Sequence, residues 1–321
     1  MKLTEIYWQL KADLTILENE LEKAIETDQT LLLQSSSHLL KAGGKRLRPV
    51  FVLLGGKLGN YDIHKLKHIA VPLELIHMAT LVHDDVIDDA DTRRGKKTVK
   101  AEWDNRIAMY TGDYIFAKSL LMATQLNHPE VHQILSKAIV EMCKGEINQI
   151  KDFNRWNQGL KDYLRRIKRK TALLIAISCK LGALVAEADP KWVRNMYLYG
   201  YHVGMAFQIT DDVLDFVGTE KQLGKPAGSD LKQGNITLPA LYAYWQTPEN
   251  HPFRKWILSP AIEDHMADII AFIKKAGGIE YSNQLAHRYL EKARKWVECV
   301  PDIKTRGSLI EITHFLGQRT F

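Results

Sequence analysis

The chain has 321 residues, of which 45% are hydrophobic, 26% charged and 9% aromatic, with 44 Lys and Arg against 38 Asp and Glu for a net charge of +6. Its 20 Gly and 10 Pro are ordinary shares, which excludes collagen-like, low-complexity and disordered classes. Cysteines at 143, 179 and 299 form no CxxC pair and make an odd count, so neither a disulfide framework nor a thiolate metal site is expected, and a reducing compartment suits them.

The first element predicted is an amphipathic helix over 2–24, with Leu3, Ile6, Tyr7, Leu10, Leu14, Leu17 and Leu21 at three- and four-residue spacings. It alternates charge with apolar residues and so lacks a signal-peptide core. Similar periodicity follows over 28–41, 49–59, 63–91, 102–126, 129–151, 159–187, 191–217, 235–247, 262–275, 279–299 and 304–317. Punctuation falls between these runs, at Gly43-Gly44, Asn157 to Gly159, Asp189-Pro190 and Gly277-Gly278 among others. The longest apolar stretch, Ile69 to Val82, holds Glu74 and His77 and is too short to span a bilayer, so a cytoplasmic protein is expected. No run alternates with period two, and no strand is predicted. The reading is an all-α chain of about a dozen helices forming one domain, 1–321, with 218–234 as a functional loop.

Two of these helices are apolar on more than one face, and each ends in aspartates: Asp84-Asp85-Val86-Ile87-Asp88 and Asp211-Asp212-Val213-Leu214-Asp215. In D-D-x-x-D the first and last carboxylates share a helix face and repel unless they are solvated or hold a hard cation. Oxygen donors without His or Cys point to Mg²⁺ rather than Zn²⁺. One such motif alone is more often a solvated helix end. Its repetition 127 residues later, again at the end of an apolar helix, favours a polyanionic mouth that holds Mg²⁺ and, through it, phosphate. Four basic groups accompany the acid: Gly43-Gly44-Lys45-Arg46-Leu47-Arg48-Pro49, Arg93-Arg94-Gly95, Lys168-Arg169-Lys170-Thr171 and the segment Gly224 to Lys232. No Walker-A loop or EF-hand spacing is present.

With these motifs in this order — GGKRLRP (43–49), LVHDDVIDDADTRRG (81–95), KTA (170–172), FQITDDVLDF (207–216) and GKPAGSDLKQGNITLP (224–239) — the chain resembles the all-trans polyprenyl diphosphate synthase family over essentially its full length. It is most similar to the large catalytic component of that family's bacillus-type heptaprenyl branch. Lys97 departs from the family, which more often has Pro there. The resemblance implies an isoprenoid-synthase-type helical bundle around a central cavity that both aspartate clusters face. It also implies head-to-tail condensation of isopentenyl diphosphate with an allylic diphosphate, farnesyl diphosphate being the expected primer. By that resemblance Asp84, Asp88 and Asp211 hold Mg²⁺, about three ions per active site. Asp85, Asp212 and Asp215 orient ligands or metal-bound water, and Arg93, Lys170 and Lys225 grip the allylic diphosphate. Lys45, Arg48, His77 and Arg94 take the diphosphate of isopentenyl diphosphate, and Thr171 and Gln208 line the cation region. The growing tail runs past Thr80, Ala79 and Ile76, one and two turns before Asp84, where no aromatic blocks it, so a product of about C30 to C40 is expected, heptaprenyl by preference.

The resemblance further implies a role in making the menaquinone side chain, and assembly with a smaller non-catalytic component or as a homodimer. A peripheral membrane contact for product release is part of the same expectation. A terpene cyclase would carry N-D-x-x-S-x-x-x-E in place of DDVLD, and a ferritin-like bundle would carry paired E-x-x-H. A non-catalytic prenyl synthase subunit would lack one aspartate cluster or the GKR segment. A nucleic-acid binder would show a basic stripe without the acid, so no nucleic-acid partner is expected.

Overall fold

Helices form almost everywhere the periodicity predicts them. The computed structural model describes residues 3–93, 95–219 and 226–318. In chain order the elements are α1 (Leu3–Gln9), α2 (Lys11–Ala24), α3 (Thr30–Lys41), α4 (Leu47–Gly56), α5 (Ile63–Ile87), a hairpin of β1 (Thr92–Arg93) and β2 (Lys96–Lys97), α6 (Val99–Glu102) and α7 (Asn105–Ala123). There follow α8 (Pro129–Asp152), α9 (Leu160–Ile167), a π-helical turn (Lys168–Ala172), α10 (Leu173–Val185), α11 (Pro190–Val217) and α12 (Ser229–Lys232). The C-terminal part holds α13 (Leu238–Trp245), α14 (Pro252–Trp256), a 3₁₀ turn (Ile262–His265), α15 (Met266–Lys275), α16 (Gly278–Val297) and α17 (Ile303–Gly317). Among the described residues no helix is long and apolar enough to cross a membrane.

The chain packs as two compact units. The first comprises residues up to Lys137, Leu174–Gly200 and Trp296–Glu311. Its core includes Ile6, Leu10, Leu17 and Leu21, a continuous buried stripe that reads as one helix by periodicity although the chain breaks at Leu10. Asp62 starts α5 by accepting a hydrogen bond from the His64 amide at 2.8 Å. That helix ends at Ile87, four residues before the end its hydrophobic and acidic pattern predicts, because Asp89 takes a left-handed backbone (φ 51°) and the Ala90 amide reaches back to the Asp85 carbonyl at 2.9 Å. The β1–β2 hairpin turns at Gly95 (φ 73°) and was not foreseen: two residues per strand are too few to show a period. Thr98 and Asp104 cap α6 and α7, accepting from Ala101 and Ile107 amides, and so split the predicted helix start at 102. Two glycines let α4 and α10 touch backbone to backbone: a Cβ on Gly182 would lie 2.1 Å from the Val52 carbonyl oxygen, and one on Gly55 2.4 Å from that of Cys179.

The second unit comprises Ala138–Leu173, Tyr201–Lys295 and the chain from Ile312. Its core is aromatic, with Tyr163, Phe216 and Phe253 fully buried and Phe253 against Phe272 at 4.7 Å between ring centroids. The predicted helix 159–187 is interrupted by the π-helical turn at 168–172, an element common at functional sites. Glycines make room for this bulge. A Cβ on Gly204 would sit 2.5 Å from the Ala172 Cα, and one on Gly145 2.7 Å from the Arg169 Cβ. Helix α14 escapes prediction because five residues hold little more than one turn.

Candidate active site

In the first unit the apolar stretch 69–82 carries α5 through the core and brings the acid cluster to its end. Within the cluster the three carboxylates differ: Asp85 is buried (1% exposed), whereas Asp84 and Asp88 are half-buried. Asp85 is occupied by the protein, since Arg93 Nε and Nη2 both donate to its Oδ1 at 2.8 and 2.7 Å. Burial raises the Asp85 pKa and the Asp84 charge adds to this; the Arg93 hydrogen bonds and charge pull it down without reversing the shift. The loop beyond is stapled by Lys100, which pairs with Asp89 and, at 3.5 Å, with Asp91, and by Thr98, whose hydroxyl donates to the Ala90 carbonyl at 2.8 Å. His77 lies half-buried two turns before Asp84. Thr80 is also half-buried and donates to the His77 carbonyl at 2.8 Å, while Ile76 and Ala79 are buried. Arg94 lies outside the described residues.

On the basic turn Lys45 is exposed and Arg48, in the first turn of α4, is half-buried. Arg46 between them goes elsewhere, forming ion pairs with Glu18 at 2.6 Å and with Glu74 at 3.3 Å. Another contact that sequence reading missed is His83, next to Asp84: its Nε2 lies 3.3 Å from Asp113 Oδ1, in space that a Cβ on Gly112 would fill.

The second unit repeats the division of labour. Asp211 is half-buried, and Asp212 and Asp215 are buried. Both Asp212 oxygens accept hydrogen bonds, from Tyr163 Oη at 2.7 Å and from Gln208 Nε2 at 2.8 Å. Thr171 in turn donates to Gln208 Oε1 at 2.5 Å, which joins the π-turn to the last turns of α11. Burial pushes the Asp212 carboxyl up to about 7, against the Gln208 and Tyr163 hydrogen bonds; the Asp230 charge also raises it and Arg166 lowers it. Asp215 accepts from Ser229 Oγ at 3.1 Å and from the Asp230 amide at 3.2 Å, so the short α12 is fastened to the end of α11. Lys170 Nζ sits 3.6 Å from Glu146 Oε2. Lys225 lies outside the described residues.

Residues 29–273 match the model of a family described as "Polyprenyl synthetase". The chain belongs to the polyprenyl synthetase family. It is a trans-prenyltransferase of the long-chain kind. It is 54% identical to the heptaprenyl diphosphate synthase component 2 of Geobacillus stearothermophilus, over 100% of both chains. Among solved structures it resembles heptaprenyl diphosphate synthase from Staphylococcus aureus, with a TM-score of 0.92 and 41% identity over 97% of this chain and 99% of that one. It also resembles a polyprenyl synthase from Caulobacter crescentus CB15 complexed with calcium and isoprenyl diphosphate, with a TM-score of 0.93 and 29% identity over 99% of this chain and 98% of the other.

For this polyprenyl synthetase the Tyr163–Asp212–Gln208–Thr171 chain carries a direct prediction. Tyr163→Phe removes one donor from a buried carboxylate and is expected to lower kcat about 10- to 100-fold, the usual effect of losing a supporting hydrogen bond behind a functional group. Steady-state assays beside a thermal melt check it; full activity in the variant would show that Gln208 alone suffices to hold Asp212.

Proposed function

We propose that residues 1–321 act as one polyprenyl synthase domain that extends farnesyl diphosphate with isopentenyl diphosphate to an all-trans product of about C35, read from the absence of an aromatic at Ile76, Ala79 and Thr80, one and two turns before Asp84. The use of that product is the menaquinone side chain. The observation that carries the assignment of roles is the split inside each D-D-x-x-D. Asp85, Asp212 and Asp215 are buried and engaged by Arg93, by Tyr163 and Gln208, and by Ser229. Asp84, Asp88 and Asp211 are the half-buried members, oxygen donors of the kind a hard divalent cation takes. The donor type is the oxygen-only kind that Mg²⁺ prefers. When bound, Mg²⁺ supplies the positive charge that draws off the diphosphate of the allylic substrate.

The chain's own residues do the rest. Arg93 and Lys170 grip the allylic diphosphate, joined in this reading by Lys225. Lys45, Arg48 and His77, with Arg94, hold isopentenyl diphosphate so that its C4 meets the allylic C1. The allylic C1–O bond breaks, the new C1–C4 bond forms, and a proton leaves C2 to the departing pyrophosphate. Thr171 and Gln208 present oxygens to the electron-poor carbon, and Ile76, Ala79 and Thr80 border the path of the tail. A smaller non-catalytic component, as the component 2 designation of its relative implies for that protein, is the proposed partner, with a peripheral membrane contact for release of the lipid.

Incubating the purified chain with Mg²⁺, isopentenyl diphosphate and farnesyl diphosphate, with and without the candidate small component, tests the proposal by product-length analysis. The expected outcome is a dominant C35 diphosphate. Absence of condensation in both arms would overturn it, and a short dominant product would overturn the chain-length assignment.

A further inference from the structure

We infer that the N-terminal helices α1 and α2 are part of the isopentenyl diphosphate site, holding its basic turn in place through Arg46. Both helices precede residue 29, where the family model begins to match. Arg46 adopts a left-handed backbone (φ 46°, ψ 38°), a conformation that a side chain with a Cβ keeps only where its surroundings over-determine it. Here they do. Its Nε and Nη2 donate to the two Glu18 oxygens at 2.6 and 3.2 Å, the planar fork-on-carboxylate geometry that arginine alone provides. Nη1 donates to Glu74 Oε1 at 3.3 Å and Nη2 to the Leu40 carbonyl at 3.4 Å. One guanidinium thus ties together α2, α3 and α5. Glu74 is a buried carboxylate that needs a paired charge, and it stands one turn before His77 on α5. A second tie comes from α1, whose Tyr7 hydroxyl donates to the Lys45 carbonyl.

The consequence is a fixed register between two sets of residues assigned to one diphosphate. Arg46 commits its charge inward and orients Lys45 and Arg48 on either side of it, while the same guanidinium holds the α5 turn that precedes His77. Arg46, Glu18 and Tyr7 are positioning residues in this account and touch no substrate. The inference rests on the reading of Lys45 as a ligand of isopentenyl diphosphate, and the test separates the two.

Glu18→Gln keeps the side-chain volume and removes the charge, and Glu18 is partly exposed, so the fold tolerates it. The expected result is a KM for isopentenyl diphosphate raised about tenfold, the scale of a misplaced binding group, with the KM for farnesyl diphosphate and kcat within about twofold of the parent. Tyr7→Phe, which leaves the ion pair intact, should raise the same KM by a smaller factor. A purely structural role would instead lower the melting temperature and the active fraction, moving kcat without selecting one substrate. Lys45→Ala is assayed alongside. A raised KM in Lys45→Ala with an unchanged KM in folded Glu18→Gln and Tyr7→Phe overturns the inference alone. An unchanged KM in Lys45→Ala overturns the assignment of the turn itself.

Discussion

Asp211→Asn is expected to lower the rate of prenyl transfer at least about a thousandfold, the scale on which removal of a group that stabilises developing charge acts. The substitution is isosteric and falls on a half-buried side chain, so the melting temperature should move little. Asp211 lies one residue from Asp212, whose two oxygens are filled by Tyr163 and Gln208, so the neighbouring carboxylate cannot swing in to replace it without breaking both bonds. Asp84→Asn should behave alike, because Asp85 beside it is held by two Arg93 donors. Asp89→Asn is the control: that carboxylate is exposed and pairs with Lys100, and its loss should cost well under a tenfold change in rate, as surface ion pairs contribute little. Incorporation of labelled isopentenyl diphosphate measures all three. Near-parental activity in Asp211→Asn would remove it from the reaction.

Ala79→Phe should shorten the product by several isoprene units while the first condensations continue. Ala79 precedes Asp84 by five residues, roughly 7.5 Å along the helix axis, which places a bulky ring at the depth a short prenyl tail reaches. It is 1% exposed and Ile76 one turn further is equally buried, so the ring must occupy either the path of the tail or the packed surroundings of α5. Overpacking of the second kind costs about 1–3 kcal/mol and appears in a denaturant melt. A folded, active variant with an unchanged C35 product would show that the tail runs elsewhere. Thr80→Phe, at a half-buried position one residue nearer the cluster, extends the series.

Much of the candidate site is legible in the sequence. The repeated D-D-x-x-D at the ends of apolar helices marks both carboxylate clusters, because a four-residue spacing on a helix is a statement about one face. The basic turn, the Arg93 segment and Thr171 with Gln208 were legible as motifs. What stayed hidden is pairwise and distant. Tyr163 reads as one more apolar-face aromatic in α9, and nothing local announces that its hydroxyl meets a carboxylate 49 residues away. Glu18 reads as one of several charges on the solvent side of α2. Glu74 did leave a trace, since a carboxylate inside the apolar run 69–82 has to find a buried cation, but the sequence does not say which. The missed hairpin and π-turn have a different cause: elements of two to five residues are shorter than the period that would reveal them.

From spacing alone the chain reads as helical, with two acid clusters and basic segments beside them, a pattern that points to phosphate-bearing substrates and a hard cation. Those properties follow from local spacing, which the helix converts directly into faces and ends. Burial is what the three-dimensional arrangement adds: Asp85, Asp212 and Asp215 are buried against donors of the protein, whereas Asp84, Asp88 and Asp211 are half-buried. That division depends on burial and on donors supplied from other segments: Arg93 across a helix terminus, Tyr163 from α9, and Ser229 from α12. The fold likewise turns Arg46, in the middle of a basic motif, inward to Glu18 and Glu74, because three carboxylate contacts outweigh both the strain of its left-handed backbone and the hydration its charge would otherwise keep.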